Sequence, residues 1–95
     1  MPELVLSSGA VHYTDKGQGS PILLLHANPG DSRDFAGVIE ALAGYGRVLA
    51  LDWPGYGQSP LPSHPEQLTV MTVYRVLEEF VQALALTDLV IVGNS

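Results

Sequence analysis

The sequence predicts an α/β fold, a mainly parallel sheet with helices on both faces, entered through an N-terminal antiparallel hairpin. Two observations carry that class. Apolar runs at residues 21–26, 47–52 and 89–92 lack the in–out alternation of a half-exposed strand, which is how a strand covered on both faces reads. Between them the apolar residues switch to a helical period, giving strand–helix–strand–helix–strand after two short β-type runs.

Taken in order, Leu4-Val5-Leu6 and Val11-His12-Tyr13 are the hairpin strands, separated by Ser7-Ser8-Gly9. Asp15-Lys16-Gly17-Gln18-Gly19-Ser20 carries turn chemistry, because Gly and Asp supply the φ values a reversal needs. Pro21-Ile22-Leu23-Leu24-Leu25-His26 is the first buried strand. From Asp34 onward, Phe35, Val38, Ile39 and Leu42 fall at i, i+3, i+4 and i+7, one stripe of a helix that Gly44 and Gly46 end. Residues 47–52 form the next strand, and residues 53–65 read as a long Gly- and Pro-rich loop. Val70, Val73, Leu77, Phe80, Val81 and Leu84 predict a second helix over 68–86, broken by Thr87-Asp88. Leu89-Val90-Ile91-Val92 is then a buried strand running into Gly93-Asn94-Ser95. With no repeat, linker or low-complexity tract, residues 1–95 read as the N-terminal part of a single domain.

Composition excludes several functions. Four Lys+Arg against ten Asp+Glu give a net charge of −6, whereas a nucleic-acid partner needs a basic face, and only Lys16, Arg33, Arg47 and Arg75 are available. A hydrophobic fraction of 46% and a mean hydropathy of +0.21 are too apolar for a disordered tail. Without cysteine there is no disulfide, thiolate metal site or cysteine nucleophile. No apolar run spans a bilayer, and Met1-Pro2-Glu3 lacks the positive charge that opens a signal peptide, so the expectation is a cytoplasmic protein with no membrane partner. Residues 68–86, with Arg75 as their only cation, read as a packing helix rather than a membrane-surface helix. No cofactor or metal is expected. His12, His26 and His64 lack metal-ligand spacing. Gly17-Gln18-Gly19 opens into a strand, and Pro60 stands where Gly55-Tyr56-Gly57 would need a third glycine to form a dinucleotide loop.

Three segments remain, each following the carboxyl end of a predicted strand, the edge at which open α/β sheets bind ligands. They are His26-Ala27-Asn28-Pro29-Gly30, the loop from Asp52 to Ser59, and Gly93-Asn94-Ser95. Ser95, directly after a buried strand with Gly93 two residues earlier, fits the first half of a G-x-S-x-G nucleophile elbow. There a strained turn holds the hydroxyl clear of the backbone, and small neighbours avoid collision.

Together these residues resemble the α/β-hydrolase superfamily. Gly17-Gln18-Gly19-Ser20-Pro21 leading into Ile22-Leu23-Leu24-Leu25-His26 looks like its approach to the oxyanion loop. Asp52-Trp53-Pro54-Gly55-Tyr56-Gly57-Gln58-Ser59 looks like its D-x-P-G-x-G-x-S loop, and Val92-Gly93-Asn94-Ser95 like the start of its elbow. The motifs come in the family's order across nearly the whole chain. The resemblance implies the α/β-hydrolase fold with only its first half present, Ser95 as nucleophile, and the backbone N–H of Asn28 in the oxyanion hole. Haloalkane dehalogenases and epoxide hydrolases resemble the chain in the H-x-N-P segment but carry Asp at the elbow. Serine instead implies acyl transfer on a small ester or related carbonyl substrate, with a carbon–carbon bond hydrolase or a perhydrolase as further possibilities.

The family usually has Gly where this chain has Ala27, which affects the shape of the oxyanion loop. His26 corresponds to the residue that organises that loop, and surface or structural roles are expected of His12 and His64. In this fold the triad acid and the general base follow the nucleophile, so both are expected beyond Ser95. Asp52 is expected to tie down its own turn. The expected partners are a small-molecule substrate and the remainder of the chain's own polypeptide, without which the last strand's edge stays open. The competing reading is a non-catalytic binding module of the same fold. Substrate identity, lid and oligomeric state leave no trace in these residues.

Overall fold

The computed structural model describes residues 3–7, 9–26, 32–61 and 69–93. Among them β1 (Glu3–Leu6) and β2 (Gly9–Lys16) form the antiparallel hairpin, with Glu3 opposite His12. β3 (Pro21–Leu25), β4 (Arg47–Leu51) and β5 (Val90–Gly93) run parallel to one another. The crossovers are α1 (Ala36–Leu42), led in by a 3-10 turn at Ser32–Phe35, and α2 (Val70–Ala83). The sheet order is β1-β2-β4-β3-β5, with β2 antiparallel to β4. This is the expected architecture, a parallel sheet carrying an antiparallel hairpin on one side.

The two helices cover opposite faces because successive strand residues point to opposite sides. Leu23, Leu49 and Leu51 pack with Val76 and Phe80 of α2, where the Tyr13 ring meets Phe80 edge-on at 5.1 Å. Leu24, Val48 and Ala50 pack with Phe35 and Ile39 on the α1 side. Leu23, Leu24, Val48, Leu49, Ala50 and Leu51 are all fully buried. Each large side chain so buried stabilises the fold by about 2–3 kcal/mol before conformational entropy is set against it.

Several expectations need correcting. The turn expected from Asp15 starts later, because Asp15 and Lys16 pair with Leu49 and Val48 and so extend β2. Asp15 also accepts two hydrogen bonds from the Arg47 guanidinium, at 3.0 and 2.7 Å, and these hold the Arg47 pKa above its ordinary value. The reversal falls at Gly17, whose φ is +87° and where a Cβ would lie 2.3 Å from the Gly46 carbonyl oxygen. The predicted second helix of 68–86 is shorter, because Thr69 caps it by accepting a hydrogen bond from the Thr72 N–H. Val70, expected in the apolar stripe, is therefore on the first, exposed turn, and the fully buried Val76 takes the central place. Val38 is likewise exposed, since the seven-residue α1 turns only Ile39 fully into the sheet, beside Phe35 from the 3-10 turn before it.

The largest departure is β5. The apolar run at 89–92 predicts a buried strand, yet all four residues of β5 are exposed. Among the described strands it pairs with β3, and none of its residues joins either buried cluster.

Candidate active site at the strand edge

Because β3 and β4 are in register up to Leu25 opposite Leu51, the residues that follow them, His26 and Asp52, emerge side by side. Leu25 also pairs with Gly93, so β5 ends at the same edge. The convergence expected of the three segments is therefore realised for the residues that open them, His26, Asp52 and Gly93. Asn28 and Ser95, the predicted oxyanion donor and nucleophile, lie outside the described residues, as do Ala27 and His64.

Asp52 is almost completely buried and sits in a dense hydrogen-bond network. Its carboxylate accepts from the Gln58 main-chain N–H at 3.2 Å, so it ties down its own turn as expected. It has a further partner that sequence reasoning missed, His12 Nδ1 at 2.9 Å. An ionised carboxylate only accepts, so Nδ1 carries the proton in this pair. Ser59 completes the arrangement. Its hydroxyl donates to the Asp52 carbonyl at 2.5 Å and accepts the His12 main-chain N–H at 2.8 Å. The imidazole Nε2 of His12 is buried with no hydrogen-bond partner, a deficit of about 1–3 kcal/mol that the Asp52 contact must offset. His12 thus has the structural role expected of it, and it links the hairpin to the glycine-rich loop.

That loop is two successive turns, closed by Tyr56 N–H to the Trp53 carbonyl and Ser59 N–H to the Tyr56 carbonyl, both at 2.9 Å. Gly57 has a φ of +53°, and a Cβ there would sit 2.5 Å from the Asp52 carboxylate. Backbone wraps the acid so closely that only glycine fits.

His26 is buried above the end of β3 and is held by Trp53. The Trp53 main-chain N–H donates to His26 Nε2 at 3.1 Å, and the indole Nε1–H donates to the His26 carbonyl at 3.2 Å. Nε2 is therefore an acceptor and Nδ1 bears the proton in the neutral ring. The Tyr56 ring lies 5.6 Å from the imidazole. Both histidine arrangements fix backbone at the roots of the edge loops. One clue to the His12 pair was available in the sequence: a polar residue between Val11 and Tyr13 in a strand needs a partner once that strand is covered.

A parallel α/β sheet whose chemistry-bearing loops gather at one strand edge defines the doubly wound class of enzyme and binding folds. The chain belongs to the α/β-hydrolase family: the family model for the alpha/beta hydrolase fold matches residues 20–95. Haloalkane dehalogenase 2 of Mycobacterium tuberculosis is 39% identical over 88 residues, covering 93% of this chain and 30% of that protein. The crystal structure of the haloalkane dehalogenase DatA from Agrobacterium tumefaciens C58 superposes with a TM-score of 0.91 at 31% identity, over 99% of this chain and 32% of its own. The esterase EaEST from Exiguobacterium antarcticum gives a TM-score of 0.86 at 28% identity, over 98% and 35% of the two chains. The chain spans about a third of the length of these relatives.

Proposed function

We propose that this chain is the nucleophile-bearing part of a serine hydrolase, with Ser95 attacking a small ester or related carbonyl substrate and the Asn28 backbone N–H stabilising the oxyanion. One observation carries the reading: the elbow position that follows β5 holds serine and not a carboxylate. The chemistry of the two nucleophiles diverges after the first bond forms. A carboxylate that displaces halide from carbon becomes an ester, which water can open at the carbonyl. A serine alkylated in the same way becomes an ether, which offers water no carbonyl and ends the cycle. Acyl transfer suits serine because the acyl-enzyme is itself an ester. Similarity to haloalkane dehalogenases therefore supports the fold and the edge geometry, while Ser95 supports a different bond.

The acid and base of the triad are supplied by residues after Ser95, in keeping with the chain order of this fold. The remainder of the polypeptide also covers β5, whose apolar side chains are exposed in these 95 residues. The finer possibilities, a carbon–carbon hydrolase or a perhydrolase, use the same nucleophile.

The test is intact-mass spectrometry of the full-length protein before and after a fluorophosphonate, followed by turnover of p-nitrophenyl acetate and of a chloroalkane. One adduct mapped to Ser95, ester turnover abolished by Ser95→Ala, and no halide release are expected. Halide release from the wild type, or ester turnover surviving Ser95→Ala, overturns the assignment. A folded protein with neither adduct nor turnover is the binding module instead.

A further inference from the structure

We propose that Trp53 is a positioning residue for the oxyanion donor, acting through the bonds that tie the exit of β4 to the exit of β3. The proposal rests on the serine-hydrolase reading above. Of its two contacts with His26, the main-chain one is open to any residue except proline. The other needs a side chain with an N–H at the reach of the indole Nε1, which donates to the His26 carbonyl at 3.2 Å. The indole has a firm footing. It is partly buried and packs against the cluster containing Leu23, Leu51 and Phe80, and its ring meets the His26 imidazole edge-on at 6.3 Å.

The consequence follows from the peptide plane. The His26 carbonyl belongs to the peptide that leads into residue 27, so holding its oxygen fixes ψ of His26 and the direction in which the chain leaves β3. The Asn28 N–H lies two residues further on. A donor aimed at transition-state charge works only if it is placed before the charge appears. A side chain that sets the exit of β3 therefore acts on turnover without touching substrate.

The experiment replaces Trp53 with 3-benzothienylalanine in the full-length protein, an analogue that keeps the ring and exchanges the indole N–H for sulfur; Trp53→Phe is the second variant. With p-nitrophenyl acetate, kcat should fall by about tenfold to a hundredfold, the size of effect a small misplacement of catalytic groups produces. KM should stay within about twofold, because ground-state binding is not at issue. Fluorophosphonate labelling should slow in parallel while Tm is unchanged. An unchanged kcat in the analogue, with an active and labelled wild type, overturns the role of Trp53 alone. A parallel fall in Tm and kcat makes the residue structural and also overturns it. A wild type with neither turnover nor labelling overturns both the serine reading and this proposal.

Discussion

β4 and β5 are both short apolar strands in the same sheet, yet Val48, Leu49, Ala50 and Leu51 are fully buried while Val90, Ile91 and Val92 are 57%, 51% and 42% exposed. Hydrophobicity does not separate them. Position does: β4 lies between β2 and β3 and has a helix on each face, whereas β5 has β3 on one side and its residues join neither buried cluster. Burial is thus a property of neighbours, and an uninterrupted apolar run states only that neighbours are wanted.

The largest effect expected is at the centre. Leu49→Ala opens a cavity between the sheet and α2 and should cost about 4 kcal/mol, read by urea denaturation beside the wild type. A loss below about 1 kcal/mol would break the contrast by showing that the site collapses to fill the space. At the edge above β4, Gly57→Ala forces a left-handed backbone onto alanine and drives a methyl group into the Asp52 carboxylate. It should cost roughly 3 kcal/mol, with faster hydrogen exchange at the Gln58 amide as a second readout. The smallest effect is at β5. Ile91→Ala in the 95-residue chain should change stability by less than about 1 kcal/mol, as at other exposed positions. The same substitution in the full-length protein should cost about 2 kcal/mol or more once the strand is covered. Equal costs in the two lengths would mean that β5 stays uncovered, and the contrast would then be intrinsic to the fold.

The strand-edge loops repeat the lesson at finer scale. That Asp52 would anchor its own turn was legible, because an acid followed by Gly55 and Gly57 has few other uses. That His12 would be its partner, 40 residues earlier, was not, since the pairing exists only once β2 lies against β4 and places His12 beside Asp52. The bonds between Trp53 and His26 depend in the same way on β3 and β4 ending in register. The second helix was read too generously at both ends for a related reason. Val70 and Val38 match a helical period, but the cap at Thr69 and the shortness of α1 decide which apolar residues reach the sheet.

By itself, then, the sequence determined the order of elements, the parallel class of the sheet, the motifs that gather at one edge, and a serine where a carboxylate would imply other chemistry. These are local matters of periodicity, turn residues and nucleophile identity, each written within a dozen or so residues. Tertiary structure alone decided which apolar strand is covered, which histidine meets the buried acid, and which side chain holds the exit of β3. Each of those depends on residues far apart in the chain being brought within hydrogen-bonding or van der Waals distance, and no local pattern encodes that distance.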